Sequence, residues 1–248
     1  MTLHRYSGRV GENHGIKGGV KMTMITAHSG SDNTEENSWA FLRFCLDRQL
    51  CFEVDVRQQT DGTLILAHDR QEVVPDSVTL EQVFQAVANE KATMTINCDL
   101  KEEGLEMAVF SLAQTYQIWP QIVLSGYVQL SWAAIWGKHI FYNIENQFEG
   151  KKLGDITEAD LIDTLQKLAY QSVQIVNIHE GWLTELVREV GQQLGLTFSV
   201  WTVNELETIE YLARCGVYNI TSRCAWAYLW KKGAKSHAEI LESQASLS

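Results

Sequence analysis

The chain has 248 residues, 45% of them hydrophobic and 21% charged, the balance of an ordinary globular protein with a full core. A net charge of −11 and a pI near 5.1 exclude a general nucleic-acid binder and disfavour firm docking on anionic lipid, both of which need a basic surface. A small phosphate ester held through a metal ion stays open, because the ion supplies positive charge locally.

The length suits one α/β barrel or two smaller domains. With two prolines, no low-complexity tract and no internal repeat, a single domain over 21–248 is the better reading. Residues 1–20, rich in Gly and carrying His4 and His14, read as a flexible N-terminal arm without the apolar segment of a signal peptide. No run of about 18 apolar residues is present, so stable membrane insertion is not expected. The five cysteines (Cys45, Cys51, Cys98, Cys215, Cys224) lack C-x-x-C spacing and read as reduced thiols of a cytoplasmic protein.

The first strand runs from Met22 to Ala27 and ends at His28. A polar loop over 32–38 leads into a helix from Trp39 to Arg48, then a strand from Cys51 to Val56. Asp61-Gly62 is a turn signal, and a third strand follows from Thr63 to His68. A helix over Leu80 to Asn89 has Thr79 as its cap, with Gln82 three residues on. The chain then alternates. Strands fall over 93–100, 121–124, 139–144, 173–178, 197–203 and 217–221. Helices fall over 104–116, 130–136, 158–170, 182–194 and 205–214, before an irregular aromatic-rich tail. Eight or nine strands alternating with helices predict a (β/α)8 barrel. No G-x-G-x-x-G follows the first strand, so nothing supports a dinucleotide fold.

Only seven residues separate Val56 from Leu64, too few for a crossover helix, so these strands are expected to form a hairpin around Asp61-Gly62. In that register Asp55 lies across from His68. Glu53 shares a strand face with Asp55, because side chains alternate. Carboxylates flanked by Phe52, Val54 and Val56 in a central strand are costly unless paired or bound to a cation. Asp99 ends the next strand in the same way. Three carboxylates without a soft ligand suit Mg²⁺ or Ca²⁺. His28 and His68, each closing an apolar run beside this cluster, form a candidate proton-transfer pair. Lys101 is placed to pair with Asp99 or Glu53, or to neutralise a substrate oxyanion. Trp201 is a candidate apolar wall for the substrate, whereas His139 and His179 read as structural.

These motifs, in this order, resemble the glycerophosphodiester phosphodiesterases, within the phosphoinositide-phospholipase-C-like barrel group. Ala27-His28-Ser29-Gly30 is similar to that family's Ala-His-Arg-Gly, and Glu35-Glu36-Asn37-Ser38 to its Pro-Glu-Asn-Thr. Glu53-Val54-Asp55-Val56 matches its Glu-x-Asp-Val, and Asp61-Gly62 with His68-Asp69 its turn and His-Asp pair. Asp99-Leu100-Lys101 is similar to its Glu-x-Lys, and Trp201 to Asn204 to its Trp-Thr-Val-Asn. The likeness spans about residues 22 to 225. It implies a divalent cation, Mg²⁺ or Ca²⁺, held by Glu53, Asp55 and Asp99 with Glu36 close by. It further implies His28 and His68 as acid and base, Lys101 on the phosphate, and hydrolysis of a glycerophosphodiester to glycerol phosphate and an alcohol.

The departures are specific. Ser29 stands where the family has a phosphate-gripping Arg, Asp99 where it has Glu, Ser222 where it has Asp, and Gly126 where it has Ser. Restoring the guanidinium by Ser29→Arg is expected to raise activity. A sphingomyelinase-D-like transphosphorylation giving a cyclic phosphate, and a non-catalytic phosphoester-binding barrel, are the competing readings.

Overall fold

The protein is described from a computed structural model covering residues 22–70 and 77–233. The expected arm over 1–20, with His4 and His14, lies outside the described residues. Eight parallel strands follow one another around the sheet: β1 (Met24–Ala27), β2 (Cys51–Gln58), β4 (Ile96–Leu100), β5 (Ile122–Gly126), β6 (Phe141–Asn143), β7 (Ile175–His179), β8 (Thr197–Trp201) and β9 (Asn219–Ser222). A parallel bridge between Leu124 and Ile140 brings β5 and β6 together, closing the cylinder. Helices α1 (Trp39–Arg48), α2 (Leu80–Asn89), α3 (Glu106–Thr115), α4 (Leu130–Trp136), α5 (Glu158–Tyr170), α6 (Glu185–Gln193) and α7 (Leu206–Arg214) occupy the crossovers. This is the (β/α)8 barrel that the alternation predicts.

Strand β3 (Leu64–Leu66) is the exception, pairing antiparallel with β2 as the short connection requires. Its register differs from expectation by one residue. Val56 faces Leu66 and the Ala67 amide donates to Asp55 O at 3.1 Å, so Ala67, not His68, lies across from Asp55. The pairing ends there, and His68 reaches the barrel mouth from the bend that follows.

Local chemistry sets the helix starts. Thr79 forms a full capping box with Gln82, and Thr157 forms one with Asp160; Ser38 caps α1 through the Phe41 amide. The aromatic tail is a correction. Residues 225–233 are helical, because Ala225, Tyr228 and Leu229 recur at helical spacing and Ala225 and Tyr228 are buried.

Most of the core lies between strands and helices. The barrel interior has its own apolar floor of Val123, Phe141 and Ile175, with Met24 and Tyr218 packed on it. One pleat higher the inward residues turn polar and satisfy one another. Thr26 donates to Asn219 at 2.7 Å, Asn219 to Ser199 at 2.9 Å and Asn177 to Asn143 at 2.9 Å. Glu53 belongs to this layer, and the carboxyl ends of the strands rise above it. No described helix is long and apolar enough to cross a membrane.

Candidate active site

Asp55 and Asp99 are directly opposed on β2 and β4, and Glu53 lies two residues before Asp55 on the same inner face. One oxygen from each of Glu53, Asp55 and Asp99 lies within 4.8 Å of the others. Lys101 bridges the pair, its Nζ 2.9 Å from Asp55 Oδ1 and 2.6 Å from Asp99 Oδ2. Ser125 donates to Asp99 Oδ1 at 2.5 Å, while Asn97 reaches Glu53 Oε2 at 3.4 Å.

Burial works against charge here, and the neighbours decide each outcome. Lys101 is opposed by burial, but Asp99 and Asp55 outweigh it and hold the ammonium protonated well above its ordinary range. Burial opposes ionisation of Asp55 as well, yet Lys101 and Asn37 bring its pKa below the ordinary value. For Glu53 the help of Lys101 and Asn97 is outweighed. Burial, then Asp99 and Asp55, push its carboxyl far up. Such a carboxyl favours a proton or a cation beside it. Three hard oxygen donors, one destabilised by the others, fit a divalent cation that would relieve all three.

His28 ends β1, anchored by its amide to Ser222 O at 2.9 Å. Its Nδ1 lies 3.1 Å from Ser29 O, which assigns the ring proton to Nδ1 and leaves Nε2 as the acceptor, 3.9 Å from Glu53 Oε1. Burial lowers its pKa, with Arg223 and Lys101 acting in the same direction. His68 is half exposed, with Nδ1 3.1 Å from Asp69 Oδ1. Both rings line one cavity of about 770 Å³ at the barrel mouth, together with Glu53, Asp99, Lys101 and Trp201. Trp201 packs edge-on against His179 with ring centres 5.4 Å apart. His139 is structural, with Nδ1 2.7 Å from Ile122 O and its ring stacked on Trp119.

Ser29, at the position of the family's phosphate-gripping Arg, and Glu36, expected close to the metal, do not line this cavity. Ser29 is fully buried, and its hydroxyl accepts from the Asn37 amide at 2.9 Å. Glu36 faces a separate shallow groove and pairs with Arg223 Nη1 at 2.6 Å. Ser222 is buried, its hydroxyl 3.2 Å from Cys224 Sγ.

Sequence reading gave no role to several residues that shape the site. Asn37 grips Asp55. Arg57 donates to His68 O at 2.9 Å and Lys101 O at 3.2 Å, tying the two segments together. Arg223 reaches Ser29 O at 3.2 Å beside His28. Gly126 has φ +78°, and a Cβ there would strike Leu100 O and come within 3.0 Å of Asp99 Oδ1. Its glycine identity in place of a serine thus follows from the close approach of β4. The Asn in the loop motif was a visible signal for Asn37; nothing in sequence marked Arg57 or Arg223.

No protein-family model matches the chain, and no curated protein matches it in sequence. Solved structures share the fold. A glycerophosphodiester phosphodiesterase from Thermotoga maritima superposes with a TM-score of 0.62 at 18% identity, over 85% of this chain and 97% of the other. One from Parabacteroides distasonis gives 0.64 at 15% identity, over 88% and 100%. An Oleispira antarctica phosphodiesterase in complex with the product sn-glycerol-3-phosphate gives 0.61 at 19% identity, over 84% and 96%.

Proposed function

We propose that the chain is a divalent-cation-dependent phosphodiesterase that hydrolyses glycerophosphodiesters, or a closely related small phosphodiester, to glycerol phosphate and an alcohol. The observation that carries this reading is the gathering of the Glu53, Asp55 and Asp99 carboxylates with the two imidazoles at one barrel mouth. A fold hosts many chemistries, so the residues rather than the barrel bear the weight. The shared fold with the Thermotoga and Oleispira enzymes supports the choice of substrate.

Glu53, Asp55 and Asp99 would hold the ion, Mg²⁺ or Ca²⁺, which when bound polarises a phosphoryl oxygen and stabilises charge developing there. His28 is assigned as general base. Its Nδ1 proton is engaged by Ser29 O, its Nε2 lone pair is open, and its lowered pKa keeps the ring neutral near pH 7. His68 is then the general acid that protonates the leaving alkoxide, with Asp69 beside Nδ1 to accompany the charged ring. Lys101 offsets two of the carboxylates and, lining the cavity, is assigned to donate a hydrogen bond to a phosphate oxygen. Arg223 donates to Ser29 O and pairs with Glu36 outside the cavity lining, and is assigned to positioning the loop that carries His28. Trp201 forms the apolar side of the cavity.

Ser29 and Ser222 are buried and do not line the cavity. The five free cysteines fit a reducing cytoplasmic setting. The test is a panel of glycerophosphodiesters assayed with Mg²⁺ or Ca²⁺, scored by release of glycerol 3-phosphate. No release with any member of the panel sinks the proposal.

A further inference from the structure

Glu145 is not needed by the chemistry above, yet it lines the same cavity. Among the described residues it is the acidic side chain whose two carboxyl oxygens are both buried without a hydrogen-bond partner. The nearest amides, its own and that of His179, favour its charged form without making well-directed bonds. Such a group destabilises the protein unless a ligand supplies the missing donor.

Its position is fixed. Glu145 sits in a 3-10 turn, Ile144–Gln147, directly after β6. Asn143 Oδ1 accepts from the Gly126 amide at 3.0 Å and from Asn177 at 2.9 Å, while Asn146 donates to Gly126 O at 2.8 Å. The asparagines on both sides of Glu145 therefore clamp its turn to the end of β5. The turn that carries the carboxyl is held in place, and both of its oxygens are buried.

Charge then selects the ligand. Glu103 and Glu149 line the same cavity, and Lys101 is its only lining Lys or Arg among the described residues. Lys101 is already engaged by Asp55 and Asp99. A divalent ion together with Lys101 balances the three ligand carboxylates. Glu103, Glu145 and Glu149 line the cavity without a lining cation of their own, a balance that a neutral or anionic group would not relieve.

Resting on the phosphodiester reading above, we infer that Glu145 is a specificity-determining residue that receives an ammonium group carried by the substrate's alcohol, through a charge-assisted N–H···O hydrogen bond. Burial pushes the free carboxyl up to about 7, and a bound ammonium would draw it back to the ionised form.

The test compares calorimetric binding of 2-aminoethyl phosphate, 2-hydroxyethyl phosphate and ethyl phosphate to the full chain in Ca²⁺. These ligands differ only in the group aimed at Glu145. The wild type should bind the aminoethyl ester about tenfold tighter than the other two, as a charge-assisted bond provides. Glu145→Gln should bring the three together with ethyl phosphate affinity unchanged, and Glu145→Asp should restore part of the preference. Equal binding of all three by the wild type overturns the inference, as does a preference for the hydroxyethyl ester or one that survives Glu145→Gln. Failure to bind any of them also overturns it, and removes the phosphate site too. Binding with the expected preference but no hydrolysis of any diester would instead sink the catalytic reading and leave Glu145 standing.

Discussion

Asn37 and Asp55 hold each other by two hydrogen bonds. Asn37 Nδ2 donates to Asp55 Oδ2 at 2.8 Å, and its Oδ1 accepts from the Asp55 amide at 3.1 Å. Asn37 reaches this position from a left-handed backbone conformation, φ +51°, which Asn tolerates better than most residues. The clamp orients one carboxylate of the proposed metal site and leaves Asp55 Oδ1 facing Lys101. Asn37→Ala should therefore lower divalent-cation affinity about 10- to 100-fold, the usual effect of removing an orienting partner. Calorimetric titration with Ca²⁺ checks this, and an unchanged affinity would remove Asn37 from the site.

Glu53 gives the metal proposal a readout that does not depend on turnover. Its carboxyl is pushed far up by burial and by Asp99 and Asp55, so the metal-free protein should hold a proton there to higher pH than an ordinary carboxyl does. Binding of Mg²⁺ or Ca²⁺ should expel it. Titrations in buffers of different ionisation enthalpy should report proton release on ion binding that grows as the pH is lowered, and Glu53→Gln should abolish it. EDTA should abolish activity, with recovery on adding either ion. Full activity in metal-free buffer would count decisively against the carboxylate cluster as a cation site.

The two histidines should separate by pH behaviour. His28→Ala and His68→Ala should each cut turnover by ~10²–10⁴-fold with the fold intact. Because burial and then Arg223 lower the pKa of His28, the acid limb of kcat/KM should fall below the ordinary histidine value of about 6.5. Arg223→Ala removes one of those causes, so the limb should move to higher pH. A limb that stays put in Arg223→Ala would separate Arg223 from His28.

Ser29→Arg, which the family likeness alone marks as an activating change, should now do the opposite. Ser29 is fully buried and its hydroxyl satisfies the Asn37 amide. A guanidinium there overfills the site and strands that amide, at a cost of about 1–3 kcal/mol. Thermal melting should show the loss, without a gain in turnover. Higher activity at unchanged stability would mean that the loop over 29–37 repacks around the new side chain.

The barrel and the carboxylate cluster were legible because they rest on local patterns. Alternating apolar residues set the strands, and the Glu53-x-Asp55 spacing puts both acids on one face. The short turn at Asp61-Gly62 required a hairpin. What sequence could not fix was one residue of register, since Asp55 with His68 and Asp55 with Ala67 satisfy the same turn signal. Arg57 and Arg223 were invisible for a different reason. Each acts on a backbone carbonyl from a distant segment, 11 residues away for Arg57 and His68 and 194 for Arg223 and Ser29, and neither sits in a motif. Glu145 was hidden too. Its significance is the absence of a partner, which only packing reveals.

That absence predicts an unusual dependence of stability on pH. Burial raises the Glu145 carboxyl to about 7, and nearby Asp99 adds to the shift. In the unfolded chain the same group ionises from about 4.5, so between these values the folded state binds more protons than the unfolded state. The contribution of the protonated form is fully present below about 4.5, declines as pH rises, and is lost above about 7. Glu145→Gln keeps the shape and cannot ionise. In metal-free, ligand-free buffer it should match the wild type near pH 4.5 and be more stable at pH 8 by about 1–3 kcal/mol. Denaturant melts of both proteins across that range provide the measurement. Parallel curves would show that the carboxyl is solvated after all, and the case for a ligand donor at Glu145 would lose its structural premise.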